Sequence, residues 1–135
     1  MTLTPGADLG PSQFPITRAD LVRYAGASGD FNPIHWSERV ATDVGLPGVL
    51  AHGMFTMALA GRALSSWLGP DDRLVSFGVR FSKPVVVPDD DAGVALEVTG
   101  VATEGEEGRV RVDLTVTVAG EKVLGQARAE VAPGA

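Results

Sequence analysis

MFTMALAGRALSSWL, residues 54–68, contains ten apolar residues and a single charge, Arg62, with the apolar positions spread round most of a helical wheel. Such a segment is predicted to form a helix buried nearly all round, about 22 Å long at about 1.5 Å per residue. Gly69-Pro70 ends it. Downstream the hydrophobic period changes to two. In RVRVDLTVTV, residues 109–118, Val110, Val112, Leu114, Val116 and Val118 alternate with Arg109, Arg111, Asp113, Thr115 and Thr117, the pattern of a strand with one dry and one wet face. Similar runs predict strands at 74–81, 94–102 and 122–131, with a proline-limited piece at 85–87. Acidic clusters at 71–72, 89–91 and 104–107 separate them and read as solvated turns. An apolar helix and a one-sided sheet bury each other if the helix lies in the sheet's concave face, so the fold class is α+β.

Upstream, ITRADL at 16–21 offers a capping box from Thr17 to Asp20 and a hydrophobic staple between Ile16 and Leu21. A short helix is expected to about Ala25, preceded by an irregular N-terminus. It must stop by Gly29, because Gly26, Ser28 and Gly29 are poor helix formers and Pro33 pushes Asn32 out of the helical region. Residues 28–36 then form a shaped loop, and a second short helix runs from a Ser37 cap to Gly45. With no linker, repeat or low-complexity segment, the 135 residues are expected to form a single domain, 1–135.

Composition narrows the function. Eleven Lys and Arg against seventeen Asp and Glu give a formal charge of −6, which repels nucleic-acid phosphates and anionic lipid, so neither partner is expected. The absence of Cys excludes disulfides, thiolate metal sites and a Cys nucleophile. The first fourteen residues lack the basic and apolar regions of a signal peptide. The longest uncharged stretch, 44–61, is broken by Gly45, Pro47, Gly48, His52 and Gly53, so no membrane span is expected and the location is expected to be cytoplasmic.

One segment, YAGASGDFNPIHW at 24–36, mixes ionisable and turn-forming residues densely enough to suggest a site. The break at Pro33 lets Asp30 and His35 aim at one point, where a carboxylate and an imidazole share general acid and base work near neutral pH. Asn32 would orient them or a substrate oxygen. Turn chemistry accounts for the same residues: Asp30 and Asn32 suit Asx turns, and His35 suits a bond to a backbone carbonyl. A second feature, Ala51-His52-Gly53-Met54, puts the Gly53 amide at a helix N-terminus with an unpaired donor, able to hold a developing oxyanion. There the missing side chain would let a carbonyl approach closely. His52 itself reads as a hydrogen-bonded structural histidine. A calcium loop fails, since Ile34, His35 and Ala41 occupy positions that need a ligand, a Gly and a Glu. Two histidines seventeen residues apart make no zinc helix, and no nucleotide or serine-hydrolase motif is present. Met54, Met57 and Trp67 read as core or as the lining of an apolar tunnel. Arg18, Arg23, Arg80 and Lys83 are candidates for a substrate phosphate, or plain surface charges.

Together, SGDFNPIH at 28–35 and AHGM at 51–54 resemble the hydratase-2 signature of MaoC-like (R)-specific enoyl-thioester hydratases and 3-hydroxyacyl-thioester dehydratases. The resemblance runs from about Leu21 to Phe81 through YAGASGD, NPIHW, VGLPGVLAHGM and VRF. NPIHW and LAHGMFTMALAG look nearest to the catalytic subunits of heterodimeric (3R)-hydroxyacyl carrier-protein dehydratases from mycobacteria. The resemblance implies a hot-dog fold, with Asp30 and His35 catalytic, Asn32 supporting them and the Gly53 backbone N–H as the oxyanion hole. It implies a CoA or carrier-protein thioester substrate in fatty-acid metabolism, and neither metal nor cofactor. A dimer is expected, either a homodimer or a heterodimer with an acyl-binding subunit. Two further readings on the same fold are a non-catalytic acyl-binding partner subunit and an acyl thioesterase.

Overall fold

The period-two half of the chain builds the sheet, as its alternation requires. In the computed structural model, which describes residues 2–135, there are five strands: β1 (Asp8–Ile16), β2 (Arg73–Phe81), β3 (Val94–Glu104), β4 (Val110–Val118) and β5 (Glu121–Ala132). They join in the order β1-β3-β4-β5-β2, every neighbouring pair antiparallel. Helices α1 (Arg18–Ser28), α2 (Glu38–Asp43) and α3 (Gly53–Trp67) separate β1 from β2 in sequence, with one 3₁₀ turn at Pro33–His35. Helix α3 packs on β1, β2 and β3. Because β1 and β2 are opposite edges of the sheet, a single helix meets both only if the sheet curls around it, which is the hot-dog arrangement. The core is the seam between them, with Leu59, Ala60, Ala63 and Leu64 of α3 buried in one cluster with Leu96, Val98, Val112 and Val116. Among the described residues no helix is long and apolar enough to cross a membrane.

Helix α1 starts as its sequence predicts. The Thr17 side chain accepts from the Asp20 amide and Asp20 accepts from the Thr17 amide, while Ile16 and Leu21 on either side are fully buried. It continues three residues beyond Ala25, and Gly29 closes it in the left-handed conformation, φ 78°, where a side chain is disfavoured.

Three expectations need correction. The N-terminus is not irregular: residues 8–16 form β1, an edge strand. Gly10, Pro11 and Pro15 hide its pattern, and an edge tolerates them because proline's missing donor can face away from the ladder and a bulge between Leu9 and Ser12 absorbs the irregular register. Helix α3 is not buried all round either. Met54, Ala58, Arg62 and Ser65 form an exposed stripe opposite the buried Thr56, Leu59, Ala60, Ala63 and Leu64, because the sheet covers only one side of the helix. Finally, Asp72 does not belong to a solvated turn. It is buried, with Oδ2 accepting from the Leu3 and Gly69 amides and Oδ1 from the Gly134 amide, so it ties both chain ends to the turn that follows α3.

The proline-limited piece at 85–87 serves the region that precedes α3. Val86 bridges to Leu50, the Ala51 amide donates to the Val85 carbonyl at 2.9 Å, and the Val87 amide donates to the Val49 carbonyl at 2.9 Å. These bonds fix residues 49–51 and, with them, the start of α3.

Candidate active site

Between α1 and α2 the chain repeats one local device at a spacing of two. Ser28 Oγ accepts from the Asp30 amide at 3.1 Å, Asp30 Oδ1 from the Asn32 amide at 3.1 Å, and Asn32 Oδ1 from the Ile34 amide at 3.3 Å. Each side chain satisfies the backbone two residues on, which holds a non-helical loop rigid without a ladder partner. Trp36 Nε1 donates back to the Phe31 carbonyl at 3.0 Å and closes the loop. Asn32 caps the 3₁₀ turn that carries His35.

His35 is aimed by a backbone acceptor. Its Nδ1 lies 2.7 Å from the Leu50 carbonyl, which can only accept, so Nδ1 carries the proton and a neutral ring leaves Nε2 as a bare lone pair. His52, at the N-cap of α3, is 1% exposed. Its Nε2 lies 3.2 Å from the Asp30 carbonyl, so the proton sits on Nε2 and Nδ1 is left buried without a partner. The two imidazoles stack with centroids 3.9 Å apart and planes inclined at 22°, and Tyr24 meets His52 edge-on at 4.8 Å. Burial is the main cause that holds His52 below its ordinary value of 6.5. The Asp30 carbonyl opposes that shift, the neighbouring His35 reinforces it and the Asp30 charge opposes it. Asp30, His35 and His52 each present a polar atom within 4.8 Å of the others. Stacked rings direct their in-plane lone pairs side by side rather than toward a common centre, a poor geometry for chelation.

A cavity of about 470 Å³ opens over this cluster, lined also by Gly53, Phe81 and Lys83. No side chain caps α3, and while the Phe55 and Thr56 amides reach the His52 carbonyl, those of Gly53 and Met54 are left open. The space beside Gly53 is filled rather than vacant, since a Cβ there would lie 2.9 Å from two ring carbons of Phe81. Thus Asp30, His35 and Gly53 come together at the cavity, whereas Asn32 lies outside its lining and holds the loop through the Ile34 amide. They are joined by Lys83, one of the four candidate cations, and by His52 and Phe81, which the sequence did not mark for the site. The adjacency of His52 to Gly53 was the available signal. Of the four cations, Arg18 is occupied by Glu38 at 2.6 Å and Arg23 by Asp20 at 3.0 Å, while Lys83 lines the cavity and pairs loosely with Glu121 at 3.7 Å.

Residues 2–120 match the MaoC-like domain. The 3-hydroxybutyryl-CoA dehydratase of Methylorubrum extorquens is 35% identical over 110 residues, 81% of this chain and 68% of that protein. The 3-hydroxyacyl-thioester dehydratase X of Mycobacterium tuberculosis is 45% identical over 73 residues, 54% of this chain and only 25% of that protein. A solved MaoC-like dehydratase superposes with a TM-score of 0.87 at 35% identity, covering 96% of this chain and 40% of the other. The chain therefore spans well under half the length of some relatives. The C-terminally truncated HadBC complex (3R-hydroxyacyl-ACP dehydratase) of M. tuberculosis superposes with a TM-score of 0.72 at 23% identity over 95% of this chain and 96% of that one, which supports the shared fold and not the particular branch. The chain belongs to the MaoC-like family, whose members include dehydratases and (R)-hydratases.

Proposed function

We propose that this chain catalyses the reversible hydration of 2-enoyl thioesters to (3R)-hydroxyacyl thioesters, carried on CoA or on a carrier protein, with Asp30 and His35 as a coupled acid–base pair. The observation that carries this reading is the convergence of the Asp30 carboxylate and the His35 ring, each presenting a polar atom within 4.8 Å of the other, in one cavity with the open Gly53 amide at the head of α3. In hydration the π bond of the enoyl group breaks, water oxygen bonds to Cβ and a proton is delivered to Cα. One member of the pair takes a proton from the water, the other supplies one to Cα, and the roles reverse in dehydration. The Gly53 amide stabilises the enolate oxygen that forms when Cβ is attacked. Water and protons balance the reaction, so no redox cofactor enters. Asn32 serves by holding the loop, and Lys83 is the cation placed to meet a phosphate of the pantetheine arm.

Loss of the enoyl-thioester absorbance of crotonyl-CoA and longer homologues measures this activity. Asp30→Asn and His35→Ala should each lower kcat at least about 100-fold. Near-normal turnover in both would refute the assignment, and release of free CoA thiol in place of hydration would indicate a thioesterase.

The oligomer that suits this reading is a homodimer. Edge strand β2 has no proline, leaves Leu74 and Val75 exposed, and offers an unpaired backbone edge to a second copy. Light scattering should return twice the chain mass. A monomer active only after addition of a different acyl-binding subunit would favour the heterodimer. A cytoplasmic location accords with thioester substrates of this class.

A further inference from the structure

We infer that His52 is a positioning residue for the reaction proposed above: it ties the Asp30 loop to the head of α3 and, by stacking, holds the His35 ring in its working orientation. This inference rests on the hydration reading and extends it to a third side chain.

Three observations carry it. First, His52 is bonded where the two halves of the site meet. Its Nε2–H donates to the Asp30 carbonyl across 22 positions of sequence, while its own backbone carbonyl accepts from the Phe55 and Thr56 amides in the first turn of α3. The Asp30 carboxylate and the Gly53 amide are thereby referenced to one residue. Second, beyond its covalent tether at Cβ the His35 ring is held by one hydrogen bond, from Nδ1 to Leu50, which leaves the ring plane free to tilt. The His52 face, 3.9 Å away and inclined by 22°, removes that freedom. Tyr24 backs His52 in turn, and Phe55 backs Tyr24 at 5.1 Å, so the stack is anchored to α1 and α3. Third, His52 is buried with Nδ1 unpartnered. An unpaired buried nitrogen is destabilising, and a phenyl ring would fill the same place without that penalty. Packing alone therefore does not explain a histidine here, whereas an N–H donor on a stacking ring does.

Three variants separate the two contributions. His52→Ala removes both, His52→Phe keeps the stacking face without the donor, and His52→Gln keeps a donor without the face. With crotonyl-CoA, His52→Ala is expected to lower kcat by about 10- to 100-fold with KM within about twofold, and the other two to fall between it and the parent chain. An independent readout is the NMR spectrum of the His35 ring nitrogens, in which Nδ1 should appear protonated and Nε2 bare in the parent chain and both should move toward averaged values in His52→Ala. A folded His52→Ala chain with kcat within about threefold of the parent, or with its loss confined to KM, overturns the inference. If His52→Ala does not fold, parental kcat in both His52→Phe and His52→Gln overturns it instead. If the parent chain shows no hydration, the proposed reaction fails, and the nitrogen spectrum alone decides whether His52 orders His35: unchanged His35 signals in the variants overturn it and averaged ones support it.

Discussion

Asp30 and Asn32 each use one side-chain oxygen to build the loop that presents them. Turn-making and site-making were competing explanations of the sequence; in the structure both residues make their turns, and Asp30 also lines the cavity. Asp30 Oδ1 is spent on the Asn32 amide, while the rest of the exposed carboxylate faces the cavity. His35 likewise bonds a carbonyl through Nδ1, and that bond is what leaves Nε2 bare. The identities and order of these residues were legible in the chain; the stacking of His52 on His35 was not, because it joins the 3₁₀ turn to the head of α3. Gly53→Ala tests the tightness of that corner. Its methyl group would meet the half-exposed Phe81 ring at 2.9 Å, which can yield at the mouth of the cavity. Turnover should fall about tenfold while the unfolding midpoint moves little, as steady-state kinetics and thermal denaturation would report. Asp72→Ala should do the reverse. Three amides lose their acceptor, so stability should drop by about 3 kcal/mol in urea denaturation with turnover per folded molecule unchanged.

Among the elements, those with local signals were the most legible. The cap, the staple and Gly29 define α1 without help from the rest of the fold, and Thr17→Ala should cost about 1 kcal/mol by chemical denaturation. Strand β1 was invisible for the opposite reason. Its place is set by pairing with β3 from Asp8↔Val101 to Ile16↔Val94, a partner some eighty residues away, and its prolines argue locally against a strand. The wheel of α3 showed that it was apolar but not how much of it the sheet would cover. Its C-terminal end is keyed to the sheet by Trp67, which sits over Gly10 and Gly100. A Cβ at Gly100 would lie 2.9 Å from the indole Cζ3 and 3.2 Å from a methyl of Val112. Gly100→Val should therefore lower stability by about 1–3 kcal/mol through overpacking, visible in the denaturation midpoint.

For the molecule as a whole, two buried titratable groups give the stability curve its acid side. His52 is held below its ordinary 6.5, chiefly by burial, so as the pH falls past that value the unfolded chain takes up a proton that the folded chain refuses, and stability declines. Asp72 faces a burial effect that would raise its value, but the Gly134, Gly69 and Leu3 amides outweigh it and hold it below 3.8. Its contribution is complete above that value and is lost as the pH drops through it. Urea denaturation from pH 8 to pH 3 should show a first decline beginning near pH 6.5 that His52→Phe removes, and a second near pH 4 that Asp72→Ala removes.

By itself the sequence determined that a long apolar helix meets a strand-rich half of period two and that α1 begins at Thr17, and it singled out Asp30, Asn32, His35 and the 51–54 segment as the candidate site. Each of these is written in neighbouring residues, through period, cap or turn. Tertiary structure alone decided that residues 8–16 complete the sheet edge, that Asp72 joins both chain ends, and that His52 lies against His35. Those contacts form between segments far apart in the chain, and their geometry exists only once the sheet has closed around α3.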